Sequence, residues 1–157
     1  MAQPHLVLAI DIGTSSTRTA LFDEKAQRLV KTTAQEKYPL ITTADGGAEL
    51  DPSVLLRATR RCLAQTLRAK RQDKTLRDQP IAGIGACSFW HSFIGCEESG
   101  KAVTRIITWA DARCRSDAAR LRTMLAEEDA HAETGCMLRS SFWPAKLAWL
   151  QRTHASL

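Results

Sequence analysis

Hydrophobic and polar positions over the first forty residues predict three short strands. The run 5–11 is apolar and β-prone, and a turn containing Gly13 separates it from a second strand-like segment, 18–23, with Ala20, Leu21 and Phe22 at its centre. A further turn leads to a third run, 28–37. Consecutive strands joined by such short turns pair antiparallel, so this pattern predicts a three-stranded meander at the start of the chain.

Beyond residue 50 the apolar positions recur at helical spacing. Asp51 and Pro52 suit the cap and the first position of a helix that runs to a charged loop near Lys70. Its inner positions lie three and four residues apart: Leu55, Thr59, Cys62, Leu63, Thr66 and Leu67. The uncharged run 81–87 that follows indicates a strand covered on both faces.

The second half of the chain predicts a hairpin and two helices. Runs 92–97 and 103–109 flank a turn at Ser99-Gly100-Lys101. A helix is expected over 112–128, and another begins at Pro144. The inner face of the first of these helices is predicted to carry Cys114, Ala118, Leu121 and Leu125. Strands followed by helices, strands and helices again place the chain in the α/β class.

Composition changes this picture little. The 157 residues suffice for one domain with its own core, and 44% hydrophobic with 25% charged residues is typical of soluble proteins. No apolar run is long enough to cross a bilayer, and no basic residue precedes the run 6–10, so we expect a cytoplasmic protein without a membrane partner. Five cysteines without a Cys-x-x-Cys pair suggest neither a disulfide framework nor a zinc site.

The net charge of +5 raises the possibility of nucleic-acid binding. Much of the basic charge lies between Arg57 and Lys74, where it is distributed around the predicted helix. The tryptophans lie elsewhere in the chain and do not interleave with it. A solvated helix face explains this pattern better than a nucleic-acid surface, so no nucleic-acid partner is expected.

The segment 11–18 (DIGTSSTR) carries candidate phosphate chemistry. Gly13 allows close approach of the backbone, and Arg18 can add a bidentate charge. Asp11 can hold Mg²⁺ directly or through water. Phosphate oxygens can be bound by the N–H groups of the turn and by three hydroxyl groups: Thr14, Ser15 and Ser16. A plain β-turn with an exposed aspartate explains the same residues equally well.

This segment resembles the first phosphate motif of the FGGY carbohydrate kinases. That family belongs to the superfamily of actin, hexokinase and the heat-shock chaperones. The resemblance implies an α/β, ribonuclease H-like fold, in which a mixed sheet with an antiparallel meander is flanked by helices. It also implies that ATP and Mg²⁺ are used by the complete enzyme, with the loop 13–18 on the phosphates and Asp11 near the metal.

Segment 84–94 (IGACSFWHSFI) is similar to a strand and loop of xylulokinase- and gluconokinase-like members, where a histidine touches the sugar. Glycerol kinases carry an Arg-Glu pair there. His91 can donate and accept hydrogen bonds, and Trp90 can offer a flat apolar face to sugar carbons. A structural histidine following a strand is the alternative interpretation of His91.

Two further segments resemble the family. In 107–113, a Trp-x-Asp-x-Arg signature makes Asp111 a candidate for sugar binding, with capping of the next helix as the rival role. Arg113 is expected to be its structural ion-pair partner. Glu133-Thr134-Gly135 and the helix after it, with a Lys-x-x-Trp-Leu pattern, form the last match. By that resemblance, Ser141 and Phe142 approach the substrate.

The resemblance implies ATP-dependent phosphorylation of a hydroxyl on a sugar, sugar acid or polyol, with gluconate or xylulose favoured. Family members are considerably longer, so we expect residues 1–157 to be a truncated N-terminal domain on the sugar-binding side. The general-base aspartate and the nucleotide domain are expected beyond Leu157, which leaves no catalytic base in the chain. A stand-alone, non-catalytic ligand-binding or association module is the alternative.

The last predicted helix carries large apolar side chains close to the end of the chain. If nothing within the chain covers them, they favour association with another copy. We therefore expect a homodimer formed through residues 143–151, centred on Trp143, Leu147, Trp149 and Leu150.

Overall fold

A computed structural model of the protein describes residues 4–154. The chain forms two compact units: the first comprises 1–39 and 53–89, and the second comprises 40–52 and 90–157. Each unit has its own hydrophobic cluster. The regular elements in chain order are β1 (Leu6–Ile12), β2 (Ser16–Phe22), β3 (Ala34–Lys37), β4 (Ile41–Thr42), β5 (Ala48–Leu50), α1 (Pro52–Gln72), β6 (Ile81–Ser88), β7 (Ile106–Ile107), α2 (Arg115–Met124), α3 (Glu127–Thr134) and α4 (Trp143–Thr153).

The first unit is built on a four-stranded mixed sheet in the order β3-β2-β1-β6. β1 pairs antiparallel with β2, and β2 pairs antiparallel with β3, which confirms the predicted meander. β6 pairs parallel with β1 and makes the sheet mixed. The third strand is shorter than predicted because a 3₁₀ helix, Val30–Thr32, occupies the start of the run 28–37. The buried Thr32 hydroxyl stabilises that helix by accepting from Leu21 N and donating to Leu29 O.

Helix α1 covers the sheet of the first unit through residues spaced four apart. Its buried positions are Ala58, Cys62 and Thr66; Cys62 and Thr66 were predicted, whereas Ala58 was not. The other predicted inner positions are half-buried: Leu55, Thr59, Leu63 and Leu67. The Thr66 hydroxyl lies 2.7 Å from that of Thr19 on β2 and also donates to Thr32 O. The Cys62 thiol is buried in the same layer. The arginines of α1 are exposed, which agrees with a solvated basic face.

Strand β6 differs from the prediction that both of its faces are covered. It is the edge strand of the described sheet, paired on one side with β1. Ile84 is 67% exposed, and most other β6 residues are exposed too. The absence of charged residues in 81–87 therefore does not reflect burial within the part of the chain that the structure describes.

The second unit combines a small sheet, ordered β4-β5-β7, with three helices. The predicted hairpin is present as irregular pairing, with bridges from Phe93 to Ile107 and from Cys96 to Ala102. Helix α4 packs against α2, and the core between and beneath them is formed by Ile107, Cys114, Ala118, Ala145 and Trp149.

The single helix predicted over 112–128 is two helices, because the backbone becomes extended at Leu125 (φ −122°, ψ 135°). The break puts three acidic residues in the first turn of α3: Glu127, Glu128 and Asp129. Negative charge is stabilising at a helix N-terminus and destabilising at a C-terminus, where these residues would have stood in one long helix. Gly135, with φ 72°, then ends α3 in the left-handed conformation that glycine adopts readily.

Helix α4 also corrects the expected dimer surface. Trp149 is 8% exposed and lies in the core of the second unit, and Leu150 packs against that core. Only Trp143 and Leu147, at 52% and 54% exposure, keep large apolar surface on this helix. The core therefore covers Trp149 and Leu150, and only Trp143 and Leu147 of the expected dimer surface remain exposed. Among residues 4–154, no helix is long and apolar enough to span a membrane.

Candidate functional site

The phosphate-motif residues form a tight turn between β1 and β2. Gly13 N donates to Ser16 O at 2.9 Å, which leaves Thr14 and Ser15 at the tip. A Cβ atom at Gly13 would lie 3.1 Å from that same carbonyl, so the turn closes most easily around a glycine. Ser15 is exposed at the tip, where its N–H and hydroxyl can meet a ligand.

Tyr38 stabilises this turn, and sequence analysis did not single it out. Its hydroxyl donates to Gly13 O, and its N–H donates to Ser15 O at 3.1 Å. The Thr17 hydroxyl lies 3.2 Å from the same phenol oxygen. Burial is the main cause that raises the pKa of Tyr38, so the phenol keeps the proton that it donates. A tyrosine just after a predicted strand gave no signal of this role.

Ser16 has a structural position within the turn. Its side chain is buried, and its hydroxyl accepts from Gln35 Nε2 at 3.0 Å on the neighbouring strand β3. The hydroxyl is therefore occupied by the protein, although the predicted phosphate set includes it. Arg18 is exposed on the same strand and remains a candidate phosphate ligand.

Asp11 stands near the end of β1 with a half-exposed carboxylate. Arg18 Nη1 lies 3.9 Å from its Oδ2. The Cys87 thiol donates to its Oδ1 at 3.5 Å, and this hydrogen bond is the main cause that raises the pKa of Cys87. In the described residues no three His, Cys, Asp or Glu side chains form a closed metal cluster. One accessible carboxylate suits Mg²⁺, which keeps several waters and takes further ligands from substrate phosphates.

In the second unit, His91 is held among aromatic rings. Its backbone is left-handed, with φ 52°, which is uncommon for a residue other than glycine. Its ring centroid lies 4.1 Å from that of Phe142, and Trp90 and Trp143 contact it edge-on at 5.7 and 6.2 Å. Trp90 is 79% exposed. The structure thus brings three predicted substrate residues together: Trp90, His91 and Phe142.

Neither ring nitrogen of His91 has a hydrogen-bond partner among residues 4–154. The neighbouring Ser92 hydroxyl instead fixes the loop, because it donates to Trp90 O at 3.2 Å and accepts from Trp109 N at 3.1 Å. Trp109 is about half exposed beside this loop and was left out of the predicted site although its motif was recognised. An imidazole positioned by stacking alone keeps its hydrogen-bonding capacity for a ligand.

Asp111 is buried and bonded on both carboxylate oxygens. Oδ2 accepts from Ala48 N at 3.0 Å and from Arg113 Nη2 at 2.7 Å, while Oδ1 accepts from Arg113 N at 3.1 Å. It does not cap α2, because the residue at that cap is Cys114. The expected ion pair with Arg113 is present, and Arg113 also binds Glu49 and stacks 4.5 Å from the ring of Trp149. Sugar contact by Asp111 stays a prediction.

Ser141 is half-buried in the loop before α4, and Lys146 lies beneath that loop. Lys146 is fully buried, and its Nζ donates to Asp111 O at 2.9 Å and to Ser140 O at 3.0 Å. Burial is the main cause that lowers the pKa of this amine. One side chain thus ties the Trp-x-Asp-x-Arg segment to the segment carrying Ser141 and Phe142. The sequence showed the Lys-x-x-Trp-Leu pattern but not this connection.

Comparison with known families assigns the chain to one of them. Residues 6–157 match the N-terminal domain of the FGGY family of carbohydrate kinases. The chain belongs to this family, which confirms the resemblance and the α/β, ribonuclease H-like fold class.

Individual relatives carry several kinase names. The chain is 31% identical to a glycerol kinase from Marinomonas sp. (strain MWYL1) over 93% of its length, and 32% identical to a gluconokinase from Bacillus subtilis (strain 168) over 92%. It spans only 28% and 26% of those two proteins. Such relatives bear two different substrate names at similar identity, so overall similarity does not select a substrate.

Solved structures give the same assignment. A xylulose kinase from Rhodospirillum rubrum superposes with a TM-score of 0.87 at 25% identity, over 97% of this chain and 30% of that one. A gluconate kinase from Lactobacillus acidophilus gives a TM-score of 0.83 at 25% identity, over 98% of this chain and 29% of that one.

Proposed function

We propose that residues 1–157 are the sugar-side, N-terminal domain of an ATP-dependent kinase acting on a five- or six-carbon sugar or sugar acid. The observation that carries this proposal is His91. Its imidazole is half-buried against Phe142, its backbone is in a rare conformation, and its nitrogens have no hydrogen-bond partner in the described chain. Strained residues held by their surroundings are frequent at ligand sites, and a polyhydroxylated ligand supplies both donors and acceptors.

The residues around His91 suit the two sides of a sugar. Sugar C–H surfaces pack on aromatic faces, and Trp90 and Trp109 are the exposed rings beside the loop. Ser141 offers a hydroxyl next to Phe142. Asp111 and Lys146 act mainly by positioning, because each is buried and engaged with the backbone of neighbouring loops.

In the first unit, the turn at Gly13 is proposed to contact the phosphates of ATP. Thr14, Ser15 and Arg18 would supply N–H, hydroxyl and guanidinium donors, and Asp11 would hold Mg²⁺ directly or through water. When bound, the ion neutralises charge on the phosphoryl group during transfer. The role of Tyr38 is to keep the turn in shape through Gly13 O.

The proposal assigns the general base and the adenosine site to sequence beyond residue 157. The relatives are more than three times as long as the part that this chain matches. Phosphoryl transfer depends on positioning and electrostatics more than on covalent chemistry, so one domain without the base is proposed to bind but not to turn over.

Calorimetric titration of the 157-residue chain with xylulose, gluconate and glycerol tests the proposal. We expect binding of xylulose or gluconate in preference to glycerol. His91→Ala should weaken that binding at least about tenfold, since one or two hydrogen bonds are lost. His131→Ala, on the exposed helix α3, is the matched control and should leave affinity unchanged. Tighter binding of glycerol, or an unchanged affinity in His91→Ala, would contradict the proposal.

A further inference from the structure

A cleft of about 480 Å³ in the second unit is lined by three arginines and two serines: Arg115, Arg122, Arg139, Ser140 and Ser141. Arg115 and Arg122 belong to α2 and lie on one helical face together with the buried Ala118, since these positions are three, four and seven residues apart. Arg139 and the serines come from the loop before α4. No acidic side chain lines the cleft.

The charges of the three arginines are not neutralised within the described residues. None of their guanidinium groups lies within 4.0 Å of a carboxylate there. Arginines nearby behave differently: Arg152 forms a bidentate pair with the buried Asp117, and Arg120 also reaches that carboxylate. The acid of this helix is thus already engaged away from the cleft.

The cleft also offers directed donors. Arg122 is anchored through Nη1, which donates to Leu138 O at 2.8 Å, and this bond limits the freedom of its side chain. The hydroxyls of Ser140 and Ser141 make no hydrogen bond among residues 4–154. Glu127 is in the first turn of α3, and its Oε1 accepts from Leu138 N rather than from an arginine.

Two further sources of positive potential lie behind this surface. The ammonium group of Lys146 is fully buried 3.0 Å from Ser140 O, and its partners in the described chain are carbonyl oxygens. The N-terminus of α2 begins at Arg115 itself, and the aligned peptide dipoles of a ten-residue helix favour an anion there. Both effects add to the guanidinium charges.

We propose that this cleft binds an oxyanion carried by a small molecule, either the carboxylate of a sugar acid or a phosphate group. Arg115, Arg122 and Arg139 supply charge-assisted hydrogen bonds, and the serine hydroxyls complete the set of donors. Ser141 is also among the residues of the proposed sugar site, so the cleft extends that proposal. Binding measured with both His91→Ala and Arg139→Gln distinguishes failure of the cleft from failure of the sugar site.

The test titrates ¹⁵N-labelled 157-residue chain with inorganic phosphate, gluconate and xylulose, following the arginine Nε–H signals and the backbone amides. Phosphate and gluconate should bind saturably and shift the Nε signals of the three arginines. Arg139→Gln and Arg122→Gln should each weaken both anions at least about tenfold, as expected for loss of a charge-assisted bond. Arg120→Gln removes one charge from the same helix outside the cleft and should change affinity less than about twofold.

The outcomes distinguish the two ligand sources. Gluconate that binds tighter than phosphate and is also weakened by His91→Ala identifies a sugar-acid carboxylate, whereas anion binding unaffected by His91→Ala identifies a phosphate group. Arg139→Gln keeps the test decisive if Arg122→Gln fails to fold, because the Arg139 side chain makes no hydrogen bond or ion pair in the described chain. The affinity for neutral xylulose should not change in Arg139→Gln. Xylulose binding therefore reports on the sugar site independently of the cleft.

The proposal is overturned if neither anion saturates, or if Arg120→Gln weakens binding as much as the cleft variants do. The second result would show a general charge effect rather than a site.

Discussion

Replacing the buried Lys146 with methionine is the sharpest test of how the second unit is held together. Methionine has nearly the same length and no amine, so Lys146→Met removes two hydrogen bonds, to Asp111 O and Ser140 O, without leaving a large cavity. It also removes a buried charge, whose desolvation opposes folding. Whether Lys146→Met lowers or raises the unfolding free energy depends on which is larger, the loss of the hydrogen bonds or the relief of the desolvation cost.

Hydrogen bonds to a charged group are worth about 1.5–3 kcal/mol each, and each carbonyl left unsatisfied costs about 1–3 kcal/mol. Removing the ammonium also removes its desolvation cost, and this gain offsets several kcal/mol of the lost hydrogen-bond energy. We expect a net loss of about 2–4 kcal/mol of unfolding free energy, because Asp111 O loses its hydrogen bond to the amine while Ser140 O keeps only the weak Cys114 thiol donor at 3.0 Å. For a chain of this size the melting temperature should fall by roughly 2–4 °C per kcal/mol.

The loss should depend on pH in a defined direction. Burial lowers the pKa of Lys146 in the folded protein relative to about 10.4 in the unfolded chain. Between the lowered value and about 10.4 the unfolded state binds more protons, so this residue makes stability rise with pH across that window. The methionine variant lacks this term, and the difference between wild type and variant should therefore grow as pH rises towards 10.4.

Urea unfolding followed by tryptophan fluorescence measures this unit selectively, because Trp90, Trp109, Trp143 and Trp149 all lie in it. Lys101→Met, at an exposed position of the second unit outside regular structure, is the matched control and should change stability by less than about 0.5 kcal/mol. Equal stability of Lys146→Met and wild type would refute the reasoning. A difference that shrinks with rising pH would refute the assigned direction of the pKa shift.

Two further predictions concern activity and association. A coupled ADP-release assay with gluconate, xylulose, glycerol or ribulose should show no sugar-stimulated turnover by the 157-residue chain. The reason is that the general base and the adenosine site are proposed to lie outside it. Robust turnover with any of these substrates would contradict the domain proposal. If the chain dimerises through α4, the contact must use Trp143 and Leu147 rather than Trp149, which is in the core. Sedimentation over a concentration series should then show dissociation of the dimer for Leu147→Glu. The control Leu56→Glu, on the exposed side of α1, should leave the dimer intact. A wild-type chain that stays monomeric at every concentration would exclude the dimer.

The sequence was most informative where one residue's chemistry determines local structure. Pro52 predicted the start of helix α1, and the helical spacing that includes Cys62 and Thr66 predicted its course; the observed helix, Pro52–Gln72, ends two residues beyond the predicted Lys70. Gly13 marks a turn that closes tightly around it. These features depend on neighbours within a few residues, and propensity and periodicity describe such short-range effects.

Burial was harder to predict, because it depends on elements that are distant in sequence. The uncharged run 81–87 suggested a covered strand, yet Ile84 is 67% exposed at the edge of the described sheet. Trp149 was expected on an exposed surface, yet it packs in the core with Cys114 and Ala118. Apolar composition shows that a residue gains from burial, but the partner that covers it follows from topology.

The partners of the buried polar groups at the candidate site were also hard to predict, because they are distant in sequence. Asp111 was predicted from its motif, but its partners Ala48 and Lys146 lie 63 and 35 residues away, so no local pattern reveals them. Buried polar groups have to be paired, and each such pair fixes two distant segments relative to each other. Asp111, Arg113 and Lys146 therefore act as the frame on which the loop of Ser141 and Phe142 is held. His91 is the contrasting case, since its nitrogens have no partner among the described residues. The supporting polar groups of this site are thus all hydrogen-bonded, whereas the imidazole of His91 is not. This contrast favours His91 as the residue that contacts the ligand.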